Sequence, residues 1–388
     1  MKKVLFVVNN LKIGGVQSSL LNLIKEIQNR YEITVLCFDR NEEDRKKIPS
    51  LVNVINANYA LSYLGVSQSE LKKRPFAYMS RAFWAIFTKI FGRSATLRLM
   101  LIFQKKIGEF DYAVSFLHEG AQKRLYGGCN EFVLKKVVAH KKITWLHGDF
   151  QRCGANCKKN IEIYKQFDEI VACSKGTRLS LSDCAPELEQ KCFVVRNCND
   201  FDQIRRLAGE GYPYSADNFN IVTVSRLGEE KGIDRAILAI SKCIAKGYKV
   251  HYHVIGDGSI RSDLQDACKK YGIINAVTFY GNQTNPYPYI KSADLFLLPS
   301  YHEAAPMVFD EAACLGVPVL ATKTTSTDEM IKDAGVGIVC ENSQTGIDTA
   351  LFGILEDREC LNAIRDKLEK MRFSNTPIVN SLEETVFN

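Results

Sequence analysis

No apolar run in the 388 residues reaches the roughly 20 positions that a membrane-crossing helix requires. The N-terminus also lacks the apolar core of a secretory signal. A cytoplasmic chain is therefore expected, at most peripheral on the inner face of a membrane. Repeats of solenoid period and low-complexity segments are missing, which excludes a repeat array and a largely disordered chain. The dinucleotide fingerprint G-x-G-x-x-G is absent. Asp39, after the apolar stretch 33–38, imitates a ribose-binding acid and keeps a dehydrogenase open as an alternative. Gly256-Asp257-Gly258 lacks a third glycine and reads better as a turn in the core. Metal-ligand pairs are scarce: Cys153 and Cys157 are separated by three residues, with no second pair nearby. No Asp-x-Asp accompanies the cationic stretch described below, so neither a metal nor another cofactor is expected there. The 13 cysteines are odd in number. Several (Cys37, Cys173, Cys340) sit inside apolar runs, so reduced thiols are expected rather than a disulfide framework.

What is present is the composition of a soluble globular protein, 46% hydrophobic and 24% charged. The length allows two domains, each with its own core. A polar stretch with Gly209, Gly211, Pro213 and Ser215 marks a linker at 208–218, between domains at 1–207 and 219–388. The net charge of +7 suits an anionic substrate or membrane surface without singling out nucleic acid.

The most informative stretch is 295–322. Residues 295–298 form an apolar run suited to a buried strand, and Pro299 and Ser300 break it. Pro306 suits the first turn of a helix, Gly316 the residue just past its end, and Pro318 blocks continuation. Residues 319–321 are a second strand. In such βαβ units ligands lie outside the carboxyl ends of the strands, which puts the loop 301–305 at a crevice. Glu303 lies in that loop, and Glu311 lies on the helix eight positions later. The free N–H groups of a helix start favour a phosphate, whereas carboxylates accept from hydroxyls. A ligand with both groups fits, such as a nucleotide sugar. Arg226 and Lys231 follow the strand 221–224 and precede a helix beginning near Ile233, a setting for a diphosphate.

In the first half, strand 4–8 leads into Gly14-Gly15 and a helical pattern over 16–27. Glycine there permits close approach of a phosphate. The strands 112–116 and 143–146 end in His118 and His147. Before these strands lies a different segment, 69–107. It interleaves nine cations, Lys72 and Arg81 among them, with aromatics such as Phe76, Phe83 and Trp84, and it is nearly without acids. Such a helical insertion suits an anionic membrane surface, or packs as ordinary helices on its domain.

Glu303 and Glu311, with Pro306-Met307-Val308 before the second and Gly316-Val317-Pro318-Val319 after it, resemble the E-x7-E motif of retaining glycosyltransferases. The resemblance is greatest to the large family four of the GT-B fold. Ala304-Ala305 depart from that family's Gly-Phe/Leu. Gly15, His147, Arg226, Lys231, Glu303 and Glu311 follow the family order across nearly the whole chain. The resemblance implies an α/β protein of two Rossmann-like domains, their parallel sheets facing an interdomain cleft, with the donor held mainly by the second. It implies transfer of a sugar, with retention, from a nucleotide diphosphate sugar (UDP-linked) to a saccharide acceptor. That acceptor is expected to be lipid-linked, in surface polysaccharide biosynthesis. Gly14 and Gly15 would lie beneath the donor phosphates, and Arg226 and Lys231 would clamp them. Glu311 would hold the ribose, with Met307 and Val308 beside it, and Asn282 would reach the base. Glu303 and His147 would orient the sugar, His147 being preferred to His118. Asn197 and Asp200 resemble the family's turn before the linker, and a C-terminal helix is expected to return to the first domain. A nucleotide-sugar epimerase of the same fold and a non-catalytic nucleotide-sugar-binding subunit are the alternatives.

Overall fold

The computed structural model describes residues 1–12 and 14–388; Ile13 lies outside them. The chain forms two units, one of Met1–Cys198 with Asn375–Asn388, the other of Asn199–Ser374.

The first unit is built on a parallel seven-stranded sheet of order β3-β2-β1-β4-β5-β6-β7. The strands are β1 Lys3–Val8, β2 Glu32–Cys37, β3 Asn53–Asn56, β4 Ile107–Ser115, β5 Val137–Leu146, β6 Glu169–Ala172 and β7 Cys192–Val194. Five successive buried residues in β1 explain why it reads as a continuous apolar run. Alternate side chains go to opposite faces. Val4, Phe6 and Val8 meet the helix Gly15–Ile27, while Leu5 and Val7 meet Leu97, Phe132 and Val133. The C-terminal helix Thr376–Thr385 belongs to this unit. Val379, Leu382, Val386 and Phe387 complete the first of those two clusters, and the Phe387 ring stacks on Tyr112 at 4.5 Å.

The second unit has a parallel six-stranded sheet of order β10-β9-β8-β11-β12-β13. Its strands are β8 Phe219–Val224, β9 Val250–Ile255, β10 Val277–Gly281, β11 Leu295–Leu298, β12 Val319–Thr322 and β13 Gly337–Cys340. Leu295 and Leu297 fill one core cluster, Phe296 and Leu298 the other.

The expected linker at 208–218 lies inside this second unit, and the division falls at 198/199 instead. The reason is packing. Phe201, at the start of the helix Phe201–Ala208, contacts Phe373 at 5.5 Å, and Asn285 donates to the Leu207 carbonyl at 2.7 Å. Tyr212 and Tyr214 then stack on Tyr289 and His253. A polar composition concealed a stretch held by aromatic rings.

Segment 69–107 forms the helices Pro75–Phe91 and Arg93–Met100. Both readings of it have a physical counterpart. Leu97 and Met100 are buried in the core, and Trp84 packs partly against it. Phe76, Met79, Phe83, Ile86 and Ile90, spaced three or four apart, instead face solvent, Phe76 being 87% exposed. In an ordinary surface helix such a stripe faces the core.

Candidate functional site

In each sheet the chain reverses its direction of growth once, between β1 and β4 and between β8 and β11. Loops leaving the carboxyl ends on either side of such a reversal part and leave a crevice. Gly14, Gly15, Arg226, Lys231 and Glu303 lie on these loops, whereas His147 follows β5 and Asn282 follows β10.

In the second unit, β8 is followed by Ser225-Arg226-Leu227. Leu227 is fully buried, and its N–H donates to the Asp257 carbonyl at 2.9 Å. Gly256-Asp257-Gly258 is thus a packing device for the Arg226 loop. A Cβ on Gly256 (φ +132°) would lie 1.9 Å from the Ser225 carbonyl oxygen, and one on Gly258 2.1 Å from that of Leu227. The loop continues through Glu229–Lys231 to Gly232, whose left-handed backbone (φ +63°) starts the helix Ile233–Ala245. A Cβ there would come within 2.2 Å of the Pro299 carbonyl oxygen. Only glycine lets this loop press against the end of β11, where the Tyr301 N–H donates to the Glu230 carbonyl at 2.9 Å.

That contact brings Lys231 to Glu303, Nζ to Oε1 at 2.6 Å, with side chains 20% and 10% exposed. Ser300 Oγ donates to the same carboxylate oxygen at 2.7 Å. Arg226 is exposed and pairs with Glu230. Arg235, which sequence reasoning missed, supports the arrangement from beneath. It is 6% exposed, donates to the Pro299 carbonyl and to Asn342 Oδ1, and lies 3.7 Å from the centre of the Tyr301 ring. An arginine in the first turn of a helix reads as a surface charge in sequence, and nothing in its spacing marks it otherwise.

The helix after this loop is Val308–Cys314, two residues later than Pro306 led us to expect. Met307 is its buried N-cap residue and Val308 is half-buried. Glu311 is half-buried, and protein surrounds its carboxyl closely enough to push the pKa up to about 7, with Asp310 adding to the effect. Asn282 follows β10 and is exposed.

In the first unit, the Gly14-Gly15 turn follows β1 and starts the helix Gly15–Ile27. A Cβ on Gly15 would meet nothing within 4 Å, so open space lies before it. His147 follows β5, with its ring 4.7 Å from Phe116 and nearly parallel to Trp145. Burial, and then nearby His118, holds its pKa well below the usual histidine value, so the ring is neutral at pH 7. Its Nε2 is buried and has no hydrogen-bond partner among the described residues. Such an atom is costly unless a ligand satisfies it. The same holds for His118 Nδ1, whose pKa falls to about 4 through burial and the Arg93 charge. Asn197 Oδ1 lies 2.9 Å from Ser19 Oγ, and Asp200 caps the helix Phe201–Ala208 by accepting from the Gln203 N–H. The structure therefore gathers Arg226, Lys231 and Glu303 at one crevice, with Met307, Val308 and Glu311 on the helix leaving it. Gly14, Gly15 and His147 stand at the sheet edge of the other unit.

Comparison with known proteins bears on the fold and on the second unit. The family model for glycosyl transferases group 1 matches residues 213–371, all in the second unit. An uncharacterized glycosyltransferase of Methanocaldococcus jannaschii is 31% identical over 167 residues, covering 41% of this chain and 43% of that protein. The O-antigen biosynthesis glycosyltransferase WclY of Escherichia coli is 22% identical over 90% of this chain and 88% of its own length. The matches to the first curated relatives span 40%, 59% and 43% of their lengths. Among solved structures, Anabaena HepE in complex with UDP-glucose superposes with a TM-score of 0.70 at 17% identity, covering 100% of both chains. TarM of S. aureus, in a complex containing UDP, gives 0.70 at 14% identity over 99% of each chain. The chain has the fold of the GT-B glycosyltransferases, and residues 213–371 of its second unit are similar to the glycosyl transferases group 1.

Proposed function

We propose that the protein is a retaining glycosyltransferase of the family-four kind. It moves a hexose from a UDP-linked sugar to a lipid-linked saccharide in the assembly of a surface polysaccharide. The observation that carries this reading is the Lys231–Glu303 pair beside exposed Arg226 at the β8/β11 crevice. Breaking the bond between the anomeric carbon and the diphosphate leaves negative charge on the departing oxygens. Two fixed cations stabilise that charge most where it grows, a contribution of about 3–4 kcal/mol per group in comparable sites. With those cations in place no metal is required. Glu303 holds Lys231 in position and accepts from a sugar hydroxyl. Neutral His147 offers an unsatisfied nitrogen to the sugar, and Glu311 accepts from the ribose.

The donor assignment is supported by the UDP held in the HepE and TarM structures. The pathway is supported by WclY and by the lipopolysaccharide core biosynthesis glycosyltransferase LpsE of Rhizobium meliloti. Attachment to an anionic membrane surface through residues 69–107 would bring the enzyme to a lipid-linked acceptor. Among the described residues no helix is long and apolar enough to cross a membrane. The test is turnover of UDP-glucose, UDP-galactose and UDP-N-acetylglucosamine in EDTA, with the anomeric configuration of the product read by NMR. Retention with at least one donor is expected. Inversion, or activity restored only by a divalent metal, contradicts the proposal. Release of an epimerised sugar without acceptor would assign the epimerase alternative instead.

A further inference from the structure

The first unit holds a cavity of about 540 Å³ at the carboxyl end of β2, to which the transfer chemistry above gives no role. It falls within the roughly 300–1,000 Å³ usual for small-molecule sites. Three segments wall it. Asp39, Arg40 and Glu42 come from the turn after β2, Tyr59 from the 3-10 helix Tyr59–Leu64, and Glu70 and Arg74 from the approach to the helix Pro75–Phe91.

The walls are fixed by contacts of their own. The Asn10 side chain donates to the Gly65 carbonyl at 3.2 Å, and a Cβ on Gly65 would lie 2.1 Å from the Asn9 carbonyl oxygen. The segment ending in Gly65 is thus pressed onto the end of β1. Lys12 bridges Asp39 and Glu70. Arg40 donates to the Ala57 carbonyl at 2.7 Å and lies 5.5 Å from the centre of the Tyr59 ring. Tyr59 itself remains 55% exposed.

This lining selects a chemistry. Carboxylates accept from hydroxyls and guanidinium groups donate to their oxygens. The lining carries three acids, Asp39, Glu42 and Glu70, against two cations, Arg40 and Arg74, and Lys12, outside the lining, pairs with Asp39 and Glu70, so the cavity has no surplus positive charge for a phosphate. The Tyr59 face offers an apolar plane to the C–H face of a ring. A neutral, hydroxyl-rich head group matches all three features. The rim supplies the rest of the ligand. Arg74, the N-cap residue, and Ala77, in the first turn, line the cavity at the start of the helix whose outward stripe runs from Phe76 through Met79, Phe83 and Ile86 to Ile90.

We infer that this cavity binds the uncharged saccharide head of an amphiphile whose apolar tail lies along the outward stripe of the helix Pro75–Phe91. Calling that amphiphile the acceptor rests on the transfer proposal; its binding does not.

Calorimetric titration without nucleotide tests the inference, using dodecyl β-maltoside below its micelle concentration, maltose, and dodecylphosphocholine. Dodecyl maltoside should bind at least about tenfold tighter than either of the others, a difference of about 1.4 kcal/mol. Tyr59→Ala and Arg40→Ala should each weaken it about tenfold, and Tyr59→Phe, which keeps the ring, should bind like wild type. Phe83→Glu with Ile86→Glu should weaken dodecyl maltoside but not maltose. If Tyr59→Ala lowers the melting temperature, Arg40→Ala decides alone. Equal binding of dodecylphosphocholine, unchanged affinity in the cavity variants, or no binding of dodecyl maltoside overturns the inference. UDP titrated into the same variants separates the two proposals. Normal UDP binding with lost dodecyl maltoside binding is the expected pattern, whereas wild-type dodecyl maltoside binding by a protein that turns over no sugar nucleotide would remove the transfer reading alone.

Discussion

At the scale of single residues, the two cations of the crevice differ in what engaging a phosphate costs them. The Arg226–Glu230 pair is exposed, and such pairs are worth about 0–1 kcal/mol, so Arg226 turns to a ligand at little expense. Lys231 is held by a largely buried carboxylate that Ser300 also orients. Removing the Glu303 charge therefore leaves the Lys231 charge uncompensated. Glu303→Gln should bind bare UDP at least as tightly as wild type while losing sugar transfer about tenfold or more, which calorimetry and initial rates together check. Weaker UDP binding would mean that Glu303 serves the nucleotide. Glu311 gives a pH signature. Its carboxyl, raised to about 7 by burial, becomes an ionised acceptor only as pH rises through that value, and hydrogen bonds to charged groups are worth about 1.5–3 kcal/mol. UDP affinity should therefore rise from pH 6 to pH 8 more steeply in wild type than in Glu311→Gln. The variant subtracts the titration of UDP itself, and parallel curves would remove Glu311 from the ribose site. For stability the sign is opposite. A raised carboxyl favours the folded state below the unfolded value of 4.5, and that contribution is lost as pH rises to about 7. Arg226, Lys231, Glu303 and Glu311 were legible because each sits at a fixed offset from a strand end or helix start. The Lys231–Glu303 contact was not, because it depends on Gly232 passing the Pro299 carbonyl, a tertiary fact that spacing does not encode.

Among the elements, the helix Pro75–Phe91 is the one whose surface most needs a partner. From 71 to 108 the chain has no acid, and Lys72, Lys73, Arg74, Lys89 and Arg98 are exposed around the apolar stripe. Sedimentation with phosphatidylglycerol vesicles should weaken as salt rises, because screening shortens the reach of these charges. Phe83→Glu with Ile86→Glu should abolish it. Equal binding to neutral phosphatidylcholine vesicles would count against an electrostatic docking surface. The next helix, Arg93–Met100, is pinned by a fully buried ion pair, Arg93 to Glu119 at 2.6 Å, while Glu119 also accepts from the Gly128 and Asn130 N–H groups. Glu119→Ala would strand the arginine and should cost about 3–5 kcal/mol in denaturant titration. Neither residue advertises this in sequence, since an Arg after a glycine and a Glu after a histidine both read as loop charges. Strands with both faces covered, such as β1, β8 and β11, were legible as apolar runs. The short, half-exposed β3, which begins and ends in asparagine, was not. β4 and β5 begin several residues before their apolar halves, at Ile107 and Val137, because their first halves lie nearer the surface and carry polar residues.

For the whole molecule, two α/β units were legible from two successive strand–helix series, whereas the division at 198/199 was concealed by aromatic packing. The return of 375–388 to the first unit leaves only a few apolar positions in sequence, but Val379, Leu382, Val386 and Phe387 are all buried there. Each such side chain contributes about 1.5–3 kcal/mol on full burial. Deleting 375–388 should therefore destabilise the first unit by several kcal/mol, seen as an early unfolding transition, while the second unit melts as before. The central claim is that the β8/β11 crevice stabilises a departing diphosphate. The initial rate of UDP release from the preferred UDP-hexose at limiting donor, in EDTA, measures this most directly for wild type, Arg226→Ala and Lys231→Ala. Each substitution should lower the rate at least about tenfold, or about 1.4 kcal/mol of barrier. Release at the wild-type rate by both variants would contradict the claim.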